Sequence, residues 1–222
     1  VTRNSLKWRT SKMIRKIFAA LALFSICSAS FSQEPIKKAI QDNNITALKT
    51  LVEANPGLLE KEIEYDTYPI IFASGLVRDV MVKTMLEKGA KADVKSSQKG
   101  ETVITRLAAN LDNPPDDKVK RLGPMLELLA EKKADFTAAE KNGKGPLLIL
   151  SERIFPSERA NNIVEIAKLF QKHGAKFSDP GNSGCLIALA GARGTLTIAS
   201  GKYGELEAIP GFIELGADVN AV

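Results

Sequence analysis

The stretch Ile209-Pro210-Gly211-Phe212-Ile213-Glu214-Leu215-Gly216-Ala217-Asp218-Val219-Asn220 decides how the chain is read. Ile209, Phe212 and Ile213 are spaced i, i+3 and i+4, so they share one face of a helix. Gly216, three residues on, supplies the left-handed residue that stops a helix. The phrase recurs as Val82, Met85 and Leu86 with Gly89-Ala90. Further copies are Leu126, Leu129 and Ala130 with Lys133-Ala134, Ala167, Phe170 and Gln171 with Gly174-Ala175, and Leu48, Leu51 and Val52 with Asn55. Each copy predicts a helix with one buried stripe and a sharp end.

A second phrase precedes each of these helices after the first: Tyr68-Pro69-Ile70-Ile71-Phe72-Ala73, Thr102-Val103-Ile104-Thr105-Arg106-Leu107, Gly145-Pro146-Leu147-Leu148-Ile149-Leu150 and Cys185-Leu186-Ile187-Ala188-Leu189-Ala190. Proline suits the first helical turn, where its missing N–H is not needed. These phrases start a second type of helix.

Together the two phrases resemble the ankyrin repeat, whose hallmarks are Thr-Pro-Leu-His-x-Ala and Leu-Leu-x-x-Gly-Ala-Asp-x-Asn. No copy carries the histidine of the first phrase, and only the last has a complete Gly-Ala-Asp-Val-Asn. The resemblance spans roughly Ile36 to Asn220. It implies an all-α stack of about five helix-turn-helix units, at 36–60, 61–95, 96–138, 139–178 and 179–222.

Spacing supports the periodic reading. From each helix-ending position to the end of the next first phrase the steps are 18, 18, 17 and 16 residues. Within a unit, the gap between the two helices is 9, 9, 19, 17 and 19 residues. The last three connections are therefore lengthened, and insertions at one point of a repeat array project from one edge. They are expected to form a rim opposite the loops, partly as longer helices.

Arg15 and Lys16 precede the apolar run Ile17 to Ile26, with small residues after it, which is a secretory signal pattern. The run is shorter than the roughly twenty residues of a membrane-spanning helix. Met13 is the natural initiator, and residues 1–12 read as an upstream extension. Cleavage is expected after Ser32, with a cut after Ala29 as the alternative, leaving 33–222 as the repeat domain, exported to the periplasm or secreted. Ile26 is too bulky for the usual lipobox, so anchoring through Cys27 is not expected.

This reading changes the electrostatics. The chain carries 31 Lys+Arg and 26 Asp+Glu, a formal charge of +5 and a pI near 9.1. Residues 1–32 hold six bases (Arg3, Lys7, Arg9, Lys12, Arg15 and Lys16) and no acid, so the mature chain has 25 against 26, about −1. Overall basicity then gives no support to nucleic-acid binding. Cys185 is the only cysteine that remains, so the core must hold the fold without an internal disulfide.

Catalytic, metal and cofactor motifs are not expected. His173 stands alone beside a helix-ending glycine, whereas zinc sites gather several His and Cys ligands. Cys185 fills the threonine slot of its phrase, with no histidine nearby in sequence, and reads as a buried thiol. Gly194 to Tyr203 has the wrong spacing for a phosphate loop. Paired acids such as Asp116 and Asp117 read as solvated surface.

In an ankyrin stack the concave surface binds partners. By register the resemblance implicates Tyr65, Asp66, Gln98, Lys99, Lys141, Asn142 and Asn182 on loop tips, with Ser74 and Asn110 following the first phrases. Tyr65 and Tyr68 flank Asp66, and tyrosine is enriched among binding hot spots. The expected function is a non-enzymatic protein-binding scaffold. An inhibitor or immunity protein that neutralises an exported toxin would carry the same features. An enzyme on this scaffold would need a polar constellation that the sequence lacks.

Overall fold

The structure, a computed structural model, describes residues 33–220 apart from 64–66, 112–115, 153–159, 187 and 189–203. All of them belong to one unit, Gln33–Val222. Among the described residues the fold is all-α, with nine helices, two 3-10 segments and no strand. No helix there is long and apolar enough to cross a membrane.

Helices α1 (Glu34–Gln41) and α2 (Ile45–Ala54) form the first pair, α3 (Pro69–Gly75) and α4 (Asp79–Glu87) the second. Helices α5 (Val103–Ala109) and α6 (Asp116–Glu131) follow, then α7 (Pro146–Glu152) and α8 (Ala160–Lys172), and finally α9 (Gly204–Glu214). Short 3-10 turns lie at Pro56–Glu60 and Pro180–Asn182. Like packs on like: α1 on α3, α3 on α5 and α5 on α7 make one layer. Helices α2, α4, α6, α8 and α9 make the other, each packed on the next.

The apolar phrases bury between these layers. Leu48, Val82, Met85, Leu126, Leu129, Ala167, Phe170 and Phe212 are all buried. Ile213 departs from its expected place in the stripe, because it is exposed. Helix α9 packs on α8 with Gly211 against Val164, while Phe212 lies against the ring of Phe177, and Ile213 is left facing away from the core.

Helix endings follow the expected chemistry with one exception. Gly89, Lys133, Gly174 and Gly216 have φ of 98°, 62°, 114° and 91°. In each case the next amide bonds back across the last turn: Ala90 to Met85, Ala134 to Leu129, Ala175 to Phe170 and Ala217 to Phe212, at 2.9, 2.9, 3.1 and 2.9 Å. These are Schellman caps. Asn55 is the exception, with φ −150°. Pro56 follows it, and the proline ring forces the preceding residue into extended backbone. Its side chain caps the next turn instead, accepting from Gly57 N at 3.1 Å.

Lengthening after the second pair takes helical form where it is described. Helix α6 has 16 residues and α8 has 13, against 10 in α2 and 9 in α4. Pro124 sits inside α6, where the first turn of a helix of α4's length would fall. Much of the expected rim, at 112–115, 153–159 and 191–203, lies outside the described residues.

Candidate functional site

Short loops connect each pair to the next, and they are tied to themselves and to each other. Backbone bonds close them at Ile63 N to Thr67 O, 2.8 Å, Ser96 N to Glu101 O, 2.9 Å, and Glu140 N to Lys144 O, 2.9 Å. The Glu62 carboxylate accepts from Ser97 N and Oγ at 2.9 and 3.1 Å. Lys141 N donates to Lys99 O at 2.9 Å, and its Nζ donates to Ser97 O at 2.5 Å. The loop edge is thus one hydrogen-bonded strip.

Where this strip meets the first layer there is a depression of about 350 Å³. Lys37 and Gln41 from α1, Phe72 from α3 and Arg106 from α5 line one side. Ile63, Thr67, Lys99 and Glu101 line the loop side. Phe72 and Arg106 hold the same place in successive first phrases, five residues in, which is why one surface carries both.

Glu101 organises the charges. Its side chain is 10% exposed, and Arg106 Nη1 donates to its two oxygens at 3.2 and 3.4 Å. Lys99 Nζ lies 3.9 Å away and is 68% exposed. A single guanidinium nitrogen shared between both carboxylate oxygens compensates part of the cost of burying Glu101. Arg106 Nε is buried without a hydrogen-bond partner. On the next loop, burial and the charge of Glu101 push the Glu140 carboxyl above its ordinary value.

The expected site residues divide into four groups. Gln98, Lys99, Lys141 and Asn142 are exposed on loop tips, and Asn110 is exposed after α5 with its amide donating to Arg106 O at 2.8 Å. Tyr68 is half-buried at the start of α3. Tyr65 and Asp66 lie outside the described residues. Ser74 and Asn182 are corrections: both are buried and bonded internally, so neither offers its side chain to a partner. Ser74 Oγ donates to Ile70 O at 2.8 Å.

Asn182 reaches the start of α7, where Gly145 has no side chain with which to cap the helix. Its Oδ1 accepts from Leu147 N at 3.0 Å, and its Nδ2 donates to Lys176 O at 2.7 Å. In α5 the equivalent position is Thr102, which forms a reciprocal capping box with Thr105. Reading by register missed Lys37, Gln41, Phe72, Glu101 and Arg106. The available signal was the matching place of Phe72 and Arg106 in two phrases.

Cys185 is buried and its thiol donates to Asn182 O at 2.8 Å. Burial pushes the thiol up to about 12, so the thiolate is scarce near neutral pH. A depression of about 280 Å³ borders it. His173 stacks on Phe136 with ring centroids 5.4 Å apart, and burial holds it below its ordinary value. No cluster of three or more His, Cys, Asp or Glu suited to a metal occurs among the described residues. No protein-family model matches the chain, and no curated protein matches it.

Proposed function

We propose that this chain is an exported, non-enzymatic protein-binding module built as an ankyrin-like stack, with the loop strip and the first-layer groove as its binding surface. The observation that carries the reading is the cross-bonded loop edge around the groove. A strip fixed by bonds from Glu62 to Ser97 and from Lys99 to Lys141 presents its tips with little conformational freedom to lose on binding. Like-on-like packing of α1, α3, α5 and α7 agrees with units that bury their faces only against neighbours. Export is the reading that best accounts for Arg15 and Lys16 before the apolar run Ile17 to Ile26.

Affinity capture from the exported fraction tests the module. The variant Gln98→Ala, Lys99→Ala, Lys141→Ala, Asn142→Ala is compared with the unaltered chain, with folding checked by circular dichroism. Loss of specific partners is expected, and recovery of the same partners by a folded variant overturns the surface assignment. N-terminal sequencing of exported protein is expected to begin at Gln33. An inhibitor of an exported toxin is the second reading, because a rigid strip of this kind suits a blocking role. Protection from a purified toxin encoded beside this gene distinguishes it.

A further inference from the structure

We propose that Asn44 is a glycosylation site, carrying an oligosaccharide on its side-chain nitrogen whose first sugar lies over the apolar groove between α1 and α2. This rests on the export reading, because the enzymes that attach such glycans act on chains that have entered the secretory route or the periplasm.

Asn44-Ile45-Thr46 is an acceptor sequence for N-linked sugar, and no other asparagine of the chain has Ser or Thr two residues on. Asp42, two residues before, supplies the acid that bacterial enzymes of this class read as well. In the transfer, Asn44 Nδ2 attacks the anomeric carbon of a lipid-pyrophosphate-linked oligosaccharide. The C–N bond forms as the C–O bond to phosphate breaks. The pyrophosphate leaves on the lipid, and the Nδ2 proton passes to a base of the enzyme.

The fold presents the acceptor and accommodates the product. Asn43 turns the chain between α1 and α2 with φ 54°, and Asn44, at φ −91° and ψ 89°, is the last residue before α2. Asn44 and Thr46 are both exposed. The two ends of the Asn44 amide have separate tasks. Its Oδ1 caps α2 by accepting from Ala47 N at 2.9 Å, whereas its Nδ2 bonds to none of the described residues. A sugar on Nδ2 therefore leaves the cap intact.

The groove beside Asn44 gives the glycan a second role. It has a volume of about 590 Å³, with Pro35, Ala39, Ala47 and Leu51 as its apolar lining and Asn44 and Thr46 among its polar residues. Every residue that lines it belongs to α1, α2 or the turn between them, so no later unit of the stack reaches it. A repeat stack stays soluble when its outer faces are polar. The glycan supplies such a face, with sugar C–H groups over Ala47 and Leu51 and hydroxyls toward water.

The test is the intact mass of the chain purified from the exported fraction of the source cells, with its N-terminus sequenced. A mass above that of the mature chain by whole sugar residues is expected, and fragmentation is expected to place the increment on Asn44. Thr46→Ala keeps the Asn44 cap and is expected to abolish the increment, with folding checked by circular dichroism. Thr46→Ser is expected to retain it. The same mature sequence produced without its leader, and so unmodified, is the reference for the groove. Against it, the glycosylated chain is expected to show shifted amide resonances at Ala39 and Leu51 and none at Phe212.

An exported chain that has lost its leader and has an unmodified mass overturns the inference while leaving the export reading intact. An increment that survives Thr46→Ala, or that maps to another residue, overturns it too. Unshifted resonances at Ala39 and Leu51 overturn the placement over the groove. A chain that keeps its leader strikes the export reading, and the glycosylation site falls with it.

Discussion

Asn182 Oδ1 stands where a side chain on Gly145 would have to go, and from there it caps the first turn of α7. A side chain from the following loop replaces a local cap that the glycine cannot supply. Asn182→Ala is expected to cost about 1–3 kcal/mol, because it leaves buried N–H groups without a partner. Gly145→Ser alone is expected to destabilise through collision with Asn182. In the double variant the serine can cap the helix as Thr102 caps α5, so the combined loss is smaller than the sum. Urea unfolding of the four proteins measures the coupling, and strict additivity would contradict the replacement.

Helices α8 and α9 meet at a second glycine. A Cβ on Gly211 would lie 2.8 Å from both methyl groups of Val164. Alanine is the better helix former by about 1 kcal/mol, yet overpacking of this kind costs about 1–3 kcal/mol. Gly211→Ala is therefore expected to lower the thermal midpoint, and Val164→Ala in the same chain to recover part of the loss.

Lys133 holds the left-handed position that glycine takes after α4, α8 and α9. An L-residue there costs about 1–2 kcal/mol, while glycine gives back part of that gain through its freer unfolded chain. Lys133→Gly is expected to stabilise by about 0.5–1 kcal/mol. Gly89→Ala, at φ 98°, is expected to destabilise. Chemical denaturation of the two variants checks both signs.

Two groups set opposite pH trends. Glu140 is held above its ordinary value, so the fold favours its protonated form, and its contribution is lost as pH rises from about 4.5 through the raised value. Glu140→Gln is expected to stabilise at neutral pH, with the advantage shrinking in acid. His173 is held below its ordinary value of 6.5, so the fold favours the neutral ring. Its contribution is present above that value and is lost as pH falls through it. His173→Gln is expected to flatten the decline in stability between about pH 7 and 5. Thermal midpoints across that range measure both effects.

Local rules made much of the helical plan legible. The triplet spacing marked the buried faces of α2, α4, α6 and α8, and Gly89 and Gly174 marked the ends of α4 and α8, because periodicity and left-handed backbone are properties of neighbouring residues. Asn55 misled for a reason also present in the sequence: the proline after it excludes the left-handed turn. The loop tips Gln98, Lys99, Lys141 and Asn142 could be placed outside the core by counting along the repeat.

The groove could not be read this way. Lys37, Phe72, Lys99 and Arg106 come from four separate segments, and their meeting depends on how α1, α3 and α5 pack and how the loops bond. Asn182 and Ser74 have the polarity of surface residues, and only the tertiary structure shows their bonding capacity turned inward. By itself the sequence determined the helices, their endings and the phrase that recurs along the chain, since these rest on contacts within a few turns. Tertiary structure decided which polar groups face solvent and which cations share one groove, because burial and electrostatic interaction depend on distance in space.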